Sequence, residues 1–246
     1  MSQIPIIEAK CFKNYPSIQF GMSTRLGGVS PAPLGMNLSF NVGDKETNVR
    51  KNRELFFGSL DIKLDELAMP GQVHSSEVKV VTEPGSYAEC DALITNQQRV
   101  YLCVSVADCV PVFVFDQKKK VIAAIHAGWR GTAGKIAERS LETMITEFSS
   151  DPSEVKAFVG PSASLCCYSV GEEVASQFDE RFVHRLDGKI FIDLKSANVA
   201  QLVSNGIPES AIEVSPLCTV TESQLLHSFR RDKEKSGRMM GVIGII

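Results

Sequence analysis

Short apolar runs rich in Val, Ile and Phe, cut by Gly, Pro and Asp, alternate along this chain with a few stretches of 3.6-residue periodicity. The runs predict strands at SIQFGMSTR (17–25), VKVVT (78–82), DALIT (91–95), VYLCVSVA (100–107), PVFVFD (111–116) and VIAAIH (121–126). VKAFVG, IFID, AIEVS and the closing RMMGVIGII add further strands. DQKKK, short and polar, closes a hairpin between the runs at 111–116 and 121–126. Helices are predicted across NVRKNRELFFGSL, ending near Gly58, and across 132–148, where Ile136, Ala137, Leu141, Met144, Ile145 and Phe148 share a face. GEEVASQF predicts a short helix. LKSANVAQLVSNG predicts a longer one, with Asp193 at its N-cap and Gly206 just beyond its end.

Between the first strand and the first helix lies LGGVSPAPLGMNLSFNVGD, dense in Gly, Pro, Asn and Ser. Unstructured loops of that length are uncommon and usually functional or disordered. Leu26, Leu34, Met36, Leu38 and Phe40 within it predict an ordered loop that packs down. No repeat or low-complexity linker divides the chain. The expected fold is α+β: a single domain over residues 1–246, built of mixed, mostly antiparallel β-sheets flanked by helices.

With 43% hydrophobic and 22% charged residues, the composition is that of a globular protein. A net charge of −3 and the absence of a basic stripe argue against nucleic acid as the partner, since FRRDKEKSGR is mixed in sign. The first residues lack the basic and apolar regions of a signal peptide, and no apolar stretch is long enough to span a membrane. Seven cysteines, an odd number with no C-x-x-C pair, do not form a disulfide framework. The expectation is a cytoplasmic protein with reduced thiols and no membrane partner.

Three polar residues end or join predicted strands: His74 in GQVHSSEV, Cys109 in VADCVPV and His126 in HAGWRG. Two imidazoles and a thiolate can hold zinc and leave a fourth position open. Each residue taken singly also fits a buried structural role, so spacing alone leaves both readings open. Arg25 sits beside two glycines in TRLGGVS, and Arg130 precedes a helix in GWRGTAGK, where backbone N–H groups and a forked guanidinium suit an anion. A loop-bracing role is the alternative. GWRGTAGK is not a P-loop, because five residues separate Gly128 from Gly134 and Ile136 stands where a Mg²⁺-binding Ser or Thr belongs. Trp129 fits core, lid or stacking surface equally well.

Taken together, TRLGGVS, NLSFNVGD, VRKNR, GQVHSSEV, CDALIT, VADCVPV, HAGWRGT, GPSASLCCYSV and FRRDKEKSGRMMGVI resemble the YfiH family over nearly the whole chain. That family is also called the multicopper polyphenol oxidoreductase (laccase) domain or purine nucleoside phosphorylase family. The resemblance implies zinc held by His74, Cys109 and His126. It also implies phosphorolysis of adenosine, inosine, guanosine and methylthioadenosine, with deamination of adenosine. Purine nucleosides and phosphate are then the partners. Within this reading, Arg25, Asn37 and Arg130 are candidates for substrate or phosphate binding. Arg130 is also a catalytic candidate, and Asp108 is the candidate proton shuttle beside a zinc-activated water.

Three alternatives stay open. Cys109 with His126 or His74 suits a cysteine hydrolase, and some relatives are named peptidoglycan editing factors. A zinc-stabilised binding module needs no turnover. His₂Cys also suits copper. A laccase needs a further, histidine-rich copper cluster, however, and only His184 and His227 remain of four histidines.

Overall fold

Val110–Asp116 and Val121–Ala127 are buried along their entire length. Val110, Val112, Val114, Ala123 and Ile125 share a core with Ile136, Leu141 and Met144 of the helix Ile136–Phe148. Phe113, Phe115, Ile122 and Ala124 belong to a second core, shared with Leu102, Val104, Ile243 and Ile245 of another sheet. A strand covered on both faces loses the polar alternation of a half-exposed one and reads as a continuous apolar run. These strands are therefore the clearest in the sequence.

The architecture comes from a computed structural model, which describes residues 4–246. One six-stranded sheet runs in the order Ile6–Ile7, Ile18–Ser23, Met239–Ile245, Tyr101–Val106, Leu67–Pro70, Gly85–Tyr87. The other runs Ile212–Val214, Val155–Val159, Val110–Asp116, Val121–Ala127, Ala92–Thr95, Val78–Val80. The two sheets share one core, and helices cover their outer faces. Glu46–Ser59 packs Phe56 and Phe57 against Tyr101, Cys103, Met240 and Val242 of the first sheet. Ile136–Phe148 and Leu194–Ser204 cover the second. Pairing is antiparallel through the middle of both sheets, and parallel pairs occur towards the margins. A small third sheet joins Ser169–Val170, Lys189–Ile192 and Val183–Leu186. The expected mixed, mostly antiparallel α+β fold is the one observed.

Local chemistry accounts for several boundaries. Buried Asp116 accepts backbone N–H bonds from Lys118 and Lys119 through Oδ1, which closes the expected hairpin. Asp193 caps Leu194–Ser204 by accepting from the Ser196 N–H, and Gly206 follows with φ of +98°. The helix expected across 132–148 is in fact two. Trp129–Ala133 ends at Gly134, Lys135 turns through a left-handed φ of +63°, and Ile136–Phe148 then begins. In the long loop Met36 and Leu38 are fully buried, as the packing expectation required, whereas Leu26 and Phe40 are exposed. Among the described residues, no helix is long and apolar enough to cross a membrane.

Candidate metal centre

The strand Val121–Ala127 turns Ile125 and Ala127 to the helix-covered core, so His126 between them points the other way. Cys109 lies in the crossover from Tyr101–Val106 in the first sheet to Val110–Asp116 in the second, and Val110 pairs with Ala127. His74 comes from the loop between Leu67–Pro70 and Val78–Val80, with a left-handed φ of +61°. One ligand atom from each of His74, Cys109 and His126 lies within 4.8 Å of the other two. The imidazole rings meet edge to face, 5.0 Å apart.

Asp91 holds this group in place. Its fully buried carboxylate accepts from the His74 N–H (3.0 Å), from the Ser75 N–H and hydroxyl (2.7 and 2.8 Å) and from His126 Nδ1 (2.8 Å). Burial acts to raise the carboxyl, but the hydrogen bonds from His126 and Ser75 outweigh it and hold Asp91 below the usual carboxylate range. With Nδ1 donating to Asp91, the lone pair of the neutral His126 ring sits on Nε2, as a metal ligand requires. Burial also disfavours a Cys109 thiolate, yet His126 and His74 overcome it and bring the thiol down to about 6. His126 rises to about 9: burial opposes its charge, while Cys109 and Asp91 favour it.

Gly128 closes the group from the backbone side. A Cβ there would lie 3.0 Å from His74 Cδ2, 3.3 Å from Cys109 Sγ and 3.9 Å from His126 Cε1. The donors, their spacing, the hydrogen-bonded second imidazole nitrogen and the absent side chain at Gly128 all fit a zinc-like ion.

His74, Cys109 and His126 open into a cavity of about 730 Å³. Its wall also includes Phe40, Arg53, Tyr87, Phe229 and Arg238. Arg53 donates from Nε to the Leu38 carbonyl (2.8 Å) and stacks 4.5 Å from the centre of the Phe40 ring. Arg238 is fixed by Nη1 bonds to the Ser236 and Gly237 carbonyls and lies 5.4 Å from the Phe229 ring centre. Desolvation weakens the hold of both guanidiniums on their protons, and the negative charges of Asp108 and Cys109 partly offset this at Arg238.

The other expected site residues lie outside that wall. Arg25 donates to the Ser223 and Pro33 carbonyls, both at 2.6 Å, and braces the long loop. Buried Asn37 serves the same loop: it donates to Ser39 O and Asp44 Oδ2 and accepts from the Ser39 and Arg238 N–H groups. Arg130 is exposed, with its guanidinium 4.4 Å from the Trp129 ring centre. Asp108 is buried, its Oδ1 accepting from Thr219 Oγ1 (2.6 Å) and its Oδ2 from the Arg230 N–H (2.5 Å). These bonds make the carboxylate an anchor for the 219–230 segment. The cavity arginines are thus Arg53 and Arg238, where the sequence suggested Arg25 and Arg130. VRKNR and SGRMMGVI carried the signal, both lying within the stretches of family resemblance.

Residues 19–246 match the family described as multi-copper polyphenol oxidoreductase laccase. The chain is 32% identical to purine nucleoside phosphorylase YlmD of Bacillus subtilis, over 96% of this chain and 92% of that protein. It is 35% identical to adenosine deaminase RL5 of an unknown prokaryotic organism, over 83% and 84% respectively. The crystal structure of Bacillus licheniformis YfiH superposes with a TM-score of 0.91, at 31% identity and 95% coverage of both chains. The chain belongs to this laccase-like YfiH family.

Among the described residues, His, Cys, Asp and Glu side chains form two groups able to hold a metal: His74–Cys109–His126 and Cys166–Cys167–Cys218. Among those residues His184 is exposed, His227 is buried with no hydrogen-bond partner, and neither joins a group. The histidine-rich cluster of a laccase is therefore not assembled by these residues.

Proposed function

We propose that the cavity cleaves purine nucleosides with phosphate and also deaminates adenosine. One observation carries this reading: a His₂Cys group, oriented by a buried carboxylate, opens into a cavity that also presents two arginines and three aromatic rings. A zinc ion held by His74, Cys109 and His126 would supply a Lewis acid at neutral pH. Phe40, Tyr87 and Phe229 offer faces on which a purine can stack. Arg53 and Arg238 offer fixed positive charge to phosphate and, as the sugar–base bond loosens, keep that anion close to the ribose.

In phosphorolysis a phosphate oxygen bonds to C1′ of the ribose, the bond from C1′ to N9 breaks, and the departing purine takes up a proton. In deamination water adds at C6 and ammonia leaves. Asp91 keeps His126 oriented in both reactions. Arg25 and Asn37 contribute by holding the loop that carries Phe40, and Asp108 by anchoring the segment that leads to Phe229.

Cys109, His126 and Asp91 also have the arrangement of a nucleophile, base and orienting acid, which supports a second reading as a cysteine hydrolase. Product chromatography separates the two. Zinc-loaded protein incubated with adenosine and phosphate should give adenine and ribose 1-phosphate, with inosine appearing whether or not phosphate is present. Removal of the metal should abolish all three products. Unchanged adenosine from folded, zinc-loaded protein would overturn the nucleoside reading, and hydrolytic activity that survives chelation would favour the cysteine one.

A further inference from the structure

Cys166 and Cys167 lie in the segment that follows Val155–Val159, and Cys218 lies in the segment that follows Ile212–Val214. Those strands are parallel neighbours, and a bridge between Ser162 and Cys218 continues their pairing. The bridge brings the three cysteines together: their Sγ atoms lie within 4.8 Å of one another, with Cys166 and Cys167 at 3.1 Å. In a tetrahedral zinc site with Zn–S of ~2.3 Å, sulfurs sit roughly 3.8 Å apart, a spacing that three sulfurs lying within 4.8 Å of one another can reach by small side-chain rotations. Cys166 is exposed and Cys167 half-buried, which gives an ion access and leaves Cys166 free to rotate into place. None of the three lines the cavity beside His74.

The surroundings favour the ionised form at Cys218, whereas burial and the neighbouring sulfurs push the Cys167 thiol up to about 12, a proton that an incoming ion has to displace. The Ser164 N–H donates to Cys218 Sγ at 3.4 Å. Burial would raise the Cys218 thiol, but backbone donation from Ser164, Thr221 and Val220 brings it down to about 6. Lys195 is buried close by, with its ammonium fixed by the Ser215 and Leu217 carbonyls, both at 2.8 Å. Three thiolates, this ammonium and one divalent cation together carry no net charge, which suits a half-buried site. A monovalent ion would leave the site negative.

We propose that Cys166, Cys167 and Cys218 form a second zinc site, separate from the His₂Cys centre, with solvent at the fourth position. Binding releases the remaining thiol protons and changes no oxidation state.

Zinc stoichiometry tests this on the full-length reduced protein, stripped of metal, reloaded and challenged with a chromophoric chelator. Wild type should retain one more equivalent than the Cys166→Ser/Cys167→Ser double variant. Cys109→Ala should lose a different equivalent and keep this one. Cobalt added to Cys109→Ala should give thiolate-to-metal charge-transfer absorption that is missing when Cys166 and Cys167 are also replaced. Cys166→Ser alone, at an exposed position, guards against misfolding of the double variant. Its affinity should fall by more than the ~10–100-fold typical of losing an outer-shell partner. Equal zinc content in wild type and double variant, with all three thiols still open to a thiol reagent in zinc-loaded wild type, would overturn the proposal. So would isolation of these cysteines as a disulfide that forms in preference to zinc binding.

Discussion

The two sulfur-bearing clusters are built by opposite means. His74, Cys109 and His126 are oriented by a buried carboxylate, covered by a glycine and open to a cavity. Cys166, Cys167 and Cys218 are arranged by a continued strand pairing, with backbone N–H groups and a lysine around them and no share in that cavity. In the proposed reading, Asp91 orients His126 and leaves the His₂Cys group facing a cavity where a substrate would sit. In the proposed second site, backbone donors and Lys195 would balance the charge of the thiolates. The material around each cluster thus distinguishes the two proposed sites better than their ligands do.

The sharpest way to break this contrast is Cys109→Ala. It should abolish phosphorolysis and deamination while leaving the cysteine cluster's zinc in place, as product chromatography and metal analysis together would show. Loss of both zinc equivalents would mean that the clusters are not independent. Asp91→Asn comes next. It should weaken zinc at the His₂Cys centre by ~10–100-fold in chelator competition, as for other outer-shell partners, and leave the second cluster unchanged. Arg238→Gln sharpens the picture of the cavity, because it removes the charge while keeping a polar side chain. Loss of a charged hydrogen bond of about 1.5 kcal/mol corresponds to roughly tenfold in kcat/KM for phosphate, with zinc content unaltered. Arg130→Ala should change neither metal content nor kcat/KM by more than about twofold, the range of an ordinary surface substitution. A tenfold loss there would return Arg130 to the site.

The sequence reveals the layers because the central strands are apolar on both faces, and it singles out His74, Cys109 and His126, which the fold brings together, because each lies in a distinctive motif. Gly85–Tyr87 and Ser169–Val170 escaped it, since neither lies in a run of apolar residues, and Pro70 disguised Leu67–Pro70. Asp91 escaped for another reason. It stands 17 positions from His74 and 35 from His126, and only the fold shows that one carboxylate serves both. The arginines misled through reach. A guanidinium extends far enough that neighbouring glycines do not reveal its direction, so Arg25 turned to loop carbonyls while Arg53, on a charged helix, entered the cavity wall.

The strand Met239–Ile245 lies between Ile18–Ser23 and Tyr101–Val106, and Arg238 and Met240 line the cavity. During synthesis, residues made early must therefore wait for residues made more than two hundred positions later before their sheet can close. Until that segment leaves the ribosome, Ile18–Ser23 and Tyr101–Val106 present unpaired edges, a hazard that chaperones exist to manage. Completion of the cavity wall is thus a late event in the life of each new chain. A product cut short before Met239 would carry all three His₂Cys ligands and still lack part of the chamber around them.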